Sequence, residues 1–94
     1  MNYILGSAVN IRSEIPEDKV SGTTVKLKSL KDPDGIEILS EQAMPFDSVE
    51  TNVAIYTFQS AIGTCSTGKY TYITETTNGT KKNYAKAHFF LEAQ

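Results

Sequence analysis

The chain has 94 residues, 39% of them hydrophobic and 21% charged, with a formal net charge of -2. That describes one domain with a small core, and no concentrated basic stripe of the kind non-specific nucleic-acid binding needs. A single cysteine excludes an internal disulfide framework, and one cysteine with one histidine excludes the usual zinc-site spacings.

In chain order, Met1 to Ser7 lacks a basic n-region and its apolar run stops at Leu5, so it does not read as a secretory signal. The longest uninterrupted apolar run, Val53-Ala54-Ile55-Tyr56, is far short of a membrane span. The expectation is a protein made in the cytoplasm with no membrane partner. Helical periodicity is absent, whereas period-two runs recur at regular intervals and threonine, valine and tyrosine favour strands. Strands are predicted over 8–12, 23–30 and 36–39. In the second of these, Val25 and Leu27 face one way and Lys26 and Lys28 the other.

Asp32-Pro33-Asp34-Gly35 is a turn, with proline fixing φ at its first central position and glycine accepting positive φ at its end. The stretch 42–46 can be at most an edge strand because Pro45 cannot donate to a ladder. Further strands are predicted over 53–60, 69–76 and 83–91, with Asn78-Gly79 as a hairpin signal. Seven short strands in one domain, residues 1–94, mean an all-β sandwich or a small barrel.

One motif favours the sandwich. Gly68-Lys69-Tyr70-Thr71-Tyr72 places a glycine two residues before a tyrosine at the start of the sixth predicted strand. In immunoglobulin-like sandwiches such a tyrosine forms a corner, its hydroxyl bonding back to the preceding loop. Gly68, Tyr70 and Tyr72 are therefore the expected structural corner, with Val25 or Leu27 opposite Tyr72; the alternative is a plain strand carrying two tyrosines. With Gly6, Val9, Ile11, Val25, Leu27, the Asp-Pro-Asp-Gly turn, Met44, Tyr56, Phe58, Phe89 and Leu91, the chain resembles small stand-alone immunoglobulin-like proteins of phage and prophage structural regions. It is also similar to modules of bacterial macroglobulin-type surface proteins. The resemblance implies an immunoglobulin-like β-sandwich of about seven antiparallel strands in two sheets. It further implies a structural role in a phage particle or its assembly, or adhesion at a cell surface.

The residues supply no catalytic constellation. No serine sits in a nucleophile elbow, no glycine-rich loop opens a helix, and Cys65 has no neighbouring base in sequence. Asp32 and Asp34 share the start of a calcium loop but lack its later ligands, including a suitably placed glutamate; Glu41 lies too close. No enzyme activity, cofactor or metal is expected. Lys81, Lys82 and Lys86 near Tyr84 could form a nucleic-acid platform, against which stands the use of outward lysines to blunt strand edges. A small carbohydrate- or nucleic-acid-binding domain is accordingly the third reading.

The last strand is the most informative. A register burying Ala85, Ala87, Phe89 and Leu91 leaves Tyr84, His88 and Phe90 outside, beside Ile73 on the sixth strand. Leu39, placed on the outer face of the third strand, would complete an apolar patch that docks a partner protein or a second copy. The competing reading is a bulge or shifted register that tucks Phe90 under a loop.

Overall fold

A computed structural model describes all 94 residues, and the protein is all-β with two facing sheets. Its strands are β1 (Asn2–Ile4), β2 (Ala8–Glu14), β3 (Thr23–Lys31), β4 (Glu37–Ala43), β5 (Val53–Gln59), β6 (Gly68–Asn78) and β7 (Lys81–Glu92), with one 3-10 turn at Glu17–Lys19. One sheet has five strands in the order β1-β7-β6-β3-β4, and the other has only β2 and β5. Pairing is antiparallel except between β1 and β7, which run parallel. That corrects the expectation of an antiparallel set throughout. The seven strands are also not the seven read from the sequence. The third and part of the fourth predicted strands form the single β4, which continues to Ala43 before Pro45 ends it. Phe46 then makes only an isolated bridge to Ala54.

β1 was not expected. Three residues are too short to show periodicity, and the partner that stabilises them lies at the other end of the chain. Missing it shifts the count by one. The strand carrying Val25 and Leu27 lies beside β6 in the five-stranded sheet, so these residues are its in-sheet neighbours and do not face Tyr72 across the core. Tyr72 sits between Leu30 and Ala87 in its own sheet and borders Val9 and Ile11 of β2.

The core joins Val9 and Ile11 of β2 and Ala54 of β5 to Val25, Leu27, Leu30, Met44, Tyr70, Phe89 and Leu91. Phe89 stands at the centre of an aromatic group. It stacks on Tyr70 at 5.2 Å between centroids and meets Tyr3 edge-on at 6.0 Å. Phe58 and Tyr72 approach it at 6.4 and 6.2 Å. Buried aromatics in these offset geometries contribute most of the packing energy in a core this small.

β3 is not a simple alternating strand. Leu27 pairs with Thr74 but Ser29 pairs with Ile73, so Lys28 is an extra residue and the ladder bulges. Strict alternation after Leu27 would turn Leu30 to solvent; the bulge turns it inward, where it is fully buried. The adjoining β4 accommodates this at Glu41, which takes a left-handed φ of 53°. The Asp32–Gly35 turn forms as read. Gly35 N donates to Asp32 O at 2.9 Å, and Asp32 Oδ1 accepts from the backbone N–H of both Asp34 and Ile36. At the hairpin, Asn78 pairs with Lys81, so the two loop residues are Gly79 and Thr80, one place later than the sequence signal suggested.

Candidate interaction surface

The corner residues meet at one end of the sandwich. Tyr70 is buried, and its hydroxyl donates to Ser66 O at 2.7 Å, tying β6 to the loop before it. Burial pushes its pKa up. Gly68 has a φ of 129°, and a Cβ there would approach Pro33 Cβ and Cγ at 3.0 Å. Conformation and packing both demand glycine, because β6 starts directly against the Asp32–Gly35 turn. Tyr72 is half-buried and packs on the core.

The outer face of the five-stranded sheet carries the expected interaction residues, with one exception. Leu39 pairs with Leu30 and packs against the core, so it does not belong to the outer face. The register shift between Leu30 and Lys31 inserts Ile38 into β4, and the single-residue slip reverses the side on which Leu39 lies. Tyr84, His88 and Phe90 do project outward, with Tyr84 59% and Phe90 37% exposed. Phe90 is not tucked under a loop, and His88 meets its ring edge-on at 5.4 Å.

These side chains do not merge into one apolar patch. Across the β6–β7 ladder Phe90 lies opposite Lys69, His88 opposite Thr71, Lys86 opposite Ile73 and Tyr84 opposite Glu75. Lys86 thus separates Tyr84 from His88, and Ile73 sits between Lys86 and Ser29. The surface is a mosaic of rings and lysines. Lys31, Lys69 and Lys86, none of which has an acidic partner within salt-bridge distance, line a shallow depression of about 300 Å³ with Ser29, Thr71 and Ile73, and Asp32 at its turn end is the one carboxylate there.

The Tyr84 end of the same face is electrostatically different. Glu41 receives Lys26 Nζ at 2.5 Å and Lys28 Nζ at 2.6 Å. Glu75, 2% exposed, lies 3.3 Å from Lys26 Nζ, while its Oε2 is 4.0 Å from Lys28 and has no hydrogen-bond partner. The two lysines hold Glu41 down to about 2. Glu75 is also lowered, first by the nearby Tyr84 hydroxyl and then by Lys26. Hydrogen bonds to Glu41 raise both lysines. Simple alternation sends Lys26 and Lys28 to one face, and the strand registers bring their partners to them: Glu75 pairs with Lys26 across β3–β6, and Glu41 lies beside Lys28 across β3–β4. The sequence places Lys26 and Lys28 outward and offers Glu41 only as a calcium ligand; the signal it lacks is register.

The remaining candidates stay apart. Cys65 is half-buried, accepts from Ala61 N at 3.4 Å and packs on the core near Tyr70, whereas His88 is on the outer face of β7. Asp32 is occupied by its own turn, and no three acidic, histidine or cysteine side chains cluster as metal ligands. The largest cleft, about 650 Å³, lies under the β6–β7 hairpin and is lined by Lys19, Thr23, Asn78, Lys81 and Asn83, with Glu14 its only carboxylate. No helix is long and apolar enough to cross a membrane. No family model matches the chain, and no curated protein or solved structure does either.

Proposed function

We propose that this chain is an immunoglobulin-like sandwich acting as a non-enzymatic interaction module, docking an acidic surface of a partner protein on the outer face of its five-stranded sheet. The carrying observation is the trio of unpaired lysines, Lys31, Lys69 and Lys86, set around a depression beside Ile73, His88 and Phe90. Aromatic anchors beside three lysines that outnumber the single carboxylate of the depression, Asp32, give a face suited to a non-obligate partner, with the lysines steering encounter and the rings supplying desolvated contact. The β1-β7-β6-β3-β4 order with β2-β5 opposite, together with the Tyr70 corner, supports the immunoglobulin-like reading. On the sequence resemblance, the partner is a component of a phage particle or its assembly.

The test places a photo-crosslinking side chain at Phe90 in the native host and compares it with the same protein carrying Lys69→Glu and Lys86→Glu. The expected result is one adduct with an acidic protein, lost on charge reversal and weakened by salt, while the melting temperature is unchanged. An adduct with nucleic acid, or one indifferent to the charge reversal, overturns the proposal.

A further inference from the structure

The two sheets are unequal, and the smaller one is incomplete along β2. Two strands cannot cover the inner face of five, and a two-stranded ribbon is marginal without further cover. β2 bonds only to β5, through a ladder in which Ala8 pairs with Gln59 and Glu14 with Val53. The ladder's flanking bonds, Ser60 N to Ser7 O and Ile15 N to Asn52 O, fix its phase. Val9, Ile11 and Ser13 bond to β5, so the backbone N–H and C=O groups of Ala8, Asn10, Arg12 and Glu14 point away from it with no backbone partner.

This edge carries little of the usual protection, its only charges being Arg12 and Glu14. β2 has no proline, no bulge and no lysine. Alongside it runs a groove of about 120 Å³ between β2 and the β1–β7 side of the larger sheet, lined by Met1, Tyr3, Val9, Ile11, Tyr72 and Phe89 as its apolar wall. Its polar lining is Asn10, Arg12 and His88, with no carboxylate.

We propose that the β2 edge accepts an extended strand from another polypeptide, by β-strand addition, with small apolar side chains turned into this groove and acidic ones turned outward beside Arg12. The alternation follows from the pleat: residues pairing with Ala8–Glu14 must send every second side chain toward Val9 and Ile11. Arg12 is only half committed, since its pair with Glu50 is exposed on both sides. A strand donor fits better than a second copy of this chain. Two sandwiches meeting edge to edge along seven residues bury little beyond the ladder itself, well below the roughly 800 Å² per partner of a stable interface. An inserted strand gains both ladder and groove. This surface runs along β2 and shares only His88 with the outer face proposed above, and because its test reads the β2 amides the two stand or fall independently.

The test uses a capped peptide alternating valine with glutamate, about nine residues long to span β2 at ~3.3 Å per residue, and reads amide exchange residue by residue. Without peptide, the amides of Ala8, Asn10, Arg12 and Glu14 exchange fast while those of Val9, Ile11 and Ser13 are protected. With peptide, the first set slows by about tenfold or more. Asn10→Pro removes one outward donor, as an edge strand tolerates, and weakens binding about tenfold or more while Ile11 stays protected. If that variant unfolds, the peptide N-methylated at alternate residues supplies the same test and should not bind. Arg12→Glu should shift preference to the lysine counterpart of the peptide. The proposal is overturned by outward amides already protected in a dimer, by binding that survives Asn10→Pro or N-methylation, or by no binding at millimolar peptide.

Discussion

The inner and outer faces of the five-stranded sheet are built from the same strands, in alternate positions, on different physics. Inside, Tyr70, Tyr72 and Phe89 pack with β2 and β5 into a cluster in which Phe89 touches four other rings. Outside, the neighbours of those residues are Lys69, Thr71, Ile73, His88 and Phe90, and farther along the charged group of Lys26, Lys28, Glu41 and Glu75. Inner contacts are non-directional and additive in area, so they set stability. Apart from the buried carboxylate of Glu75, outer contacts are screened by solvent, so they set what the face attracts and how it responds to pH. Substitutions on the two faces should therefore fail in different ways.

The largest effect is expected from Phe89→Ala. It leaves a cavity at the centre of the aromatic group, and truncations of this kind cost about 3–5 kcal/mol. Since a domain of this length holds roughly 5–14 kcal/mol in total, the variant should have a sharply lowered urea midpoint and lose amide protection across both sheets. Its neighbour on the outer face provides the contrast: Phe90→Ala, at a site already 37% exposed, should shift the midpoint by well under half as much. Equal losses at 89 and 90 would mean the two faces are not distinct.

Tyr70→Phe comes next. It keeps the ring stacked on Phe89 but removes the donor to Ser66 O, leaving that carbonyl without its partner. The cost is about 1 kcal/mol, or about 5 °C in melting temperature. Tyr70→Ala should cost several times more, by losing the packing as well. If Tyr70→Phe is neutral, the corner is only a packed ring.

How much of this was legible follows from what each feature depends on. The inward register of Phe89 and Leu91 was readable because only one alternation avoids burying Lys86. The Tyr70 corner and the Asp32–Gly35 turn were readable because local chemistry specifies them. What depended on non-local register was not. β1 exists through its pairing with residues 90–92, and the bulge at Lys28 exists because Leu30 gains burial, an advantage no window of sequence displays. Leu39 was misplaced for the same reason: one inserted residue in β4 changes its side. The charged network depends on how β4 and β6 register against β3, so its lysines were visible and their meeting with Glu41 and Glu75 was not.

The smallest expected effect, and the one that isolates the outer face, is the pH dependence of Glu41. Its folded pKa of about 2 lies below the ordinary value of 4.5, so the stabilisation it brings is present above pH 4.5 and is lost as pH falls toward 2. Lys26 and Lys28 are raised above 10.5, so their share is full below that pH and is lost above it. Glu41→Gln removes the shared partner of both lysines. The urea midpoints of the two proteins should therefore differ at neutral pH, converge as the pH is lowered from 4.5 to about 2, and converge again above 10.5. Half-exposed pairs are screened, so molar salt should narrow the neutral gap as well. Glu41 also holds a left-handed φ of 53° that a glycine would adopt without strain. Glu41→Gly thus separates the two contributions: it should recover part of the Glu41→Gln loss at every pH, but none of its pH dependence. A gap that stays constant from neutral pH down to about 2 would show that Glu41 acts only through the bulge, and the outer face would then contribute no electrostatic stability through this residue.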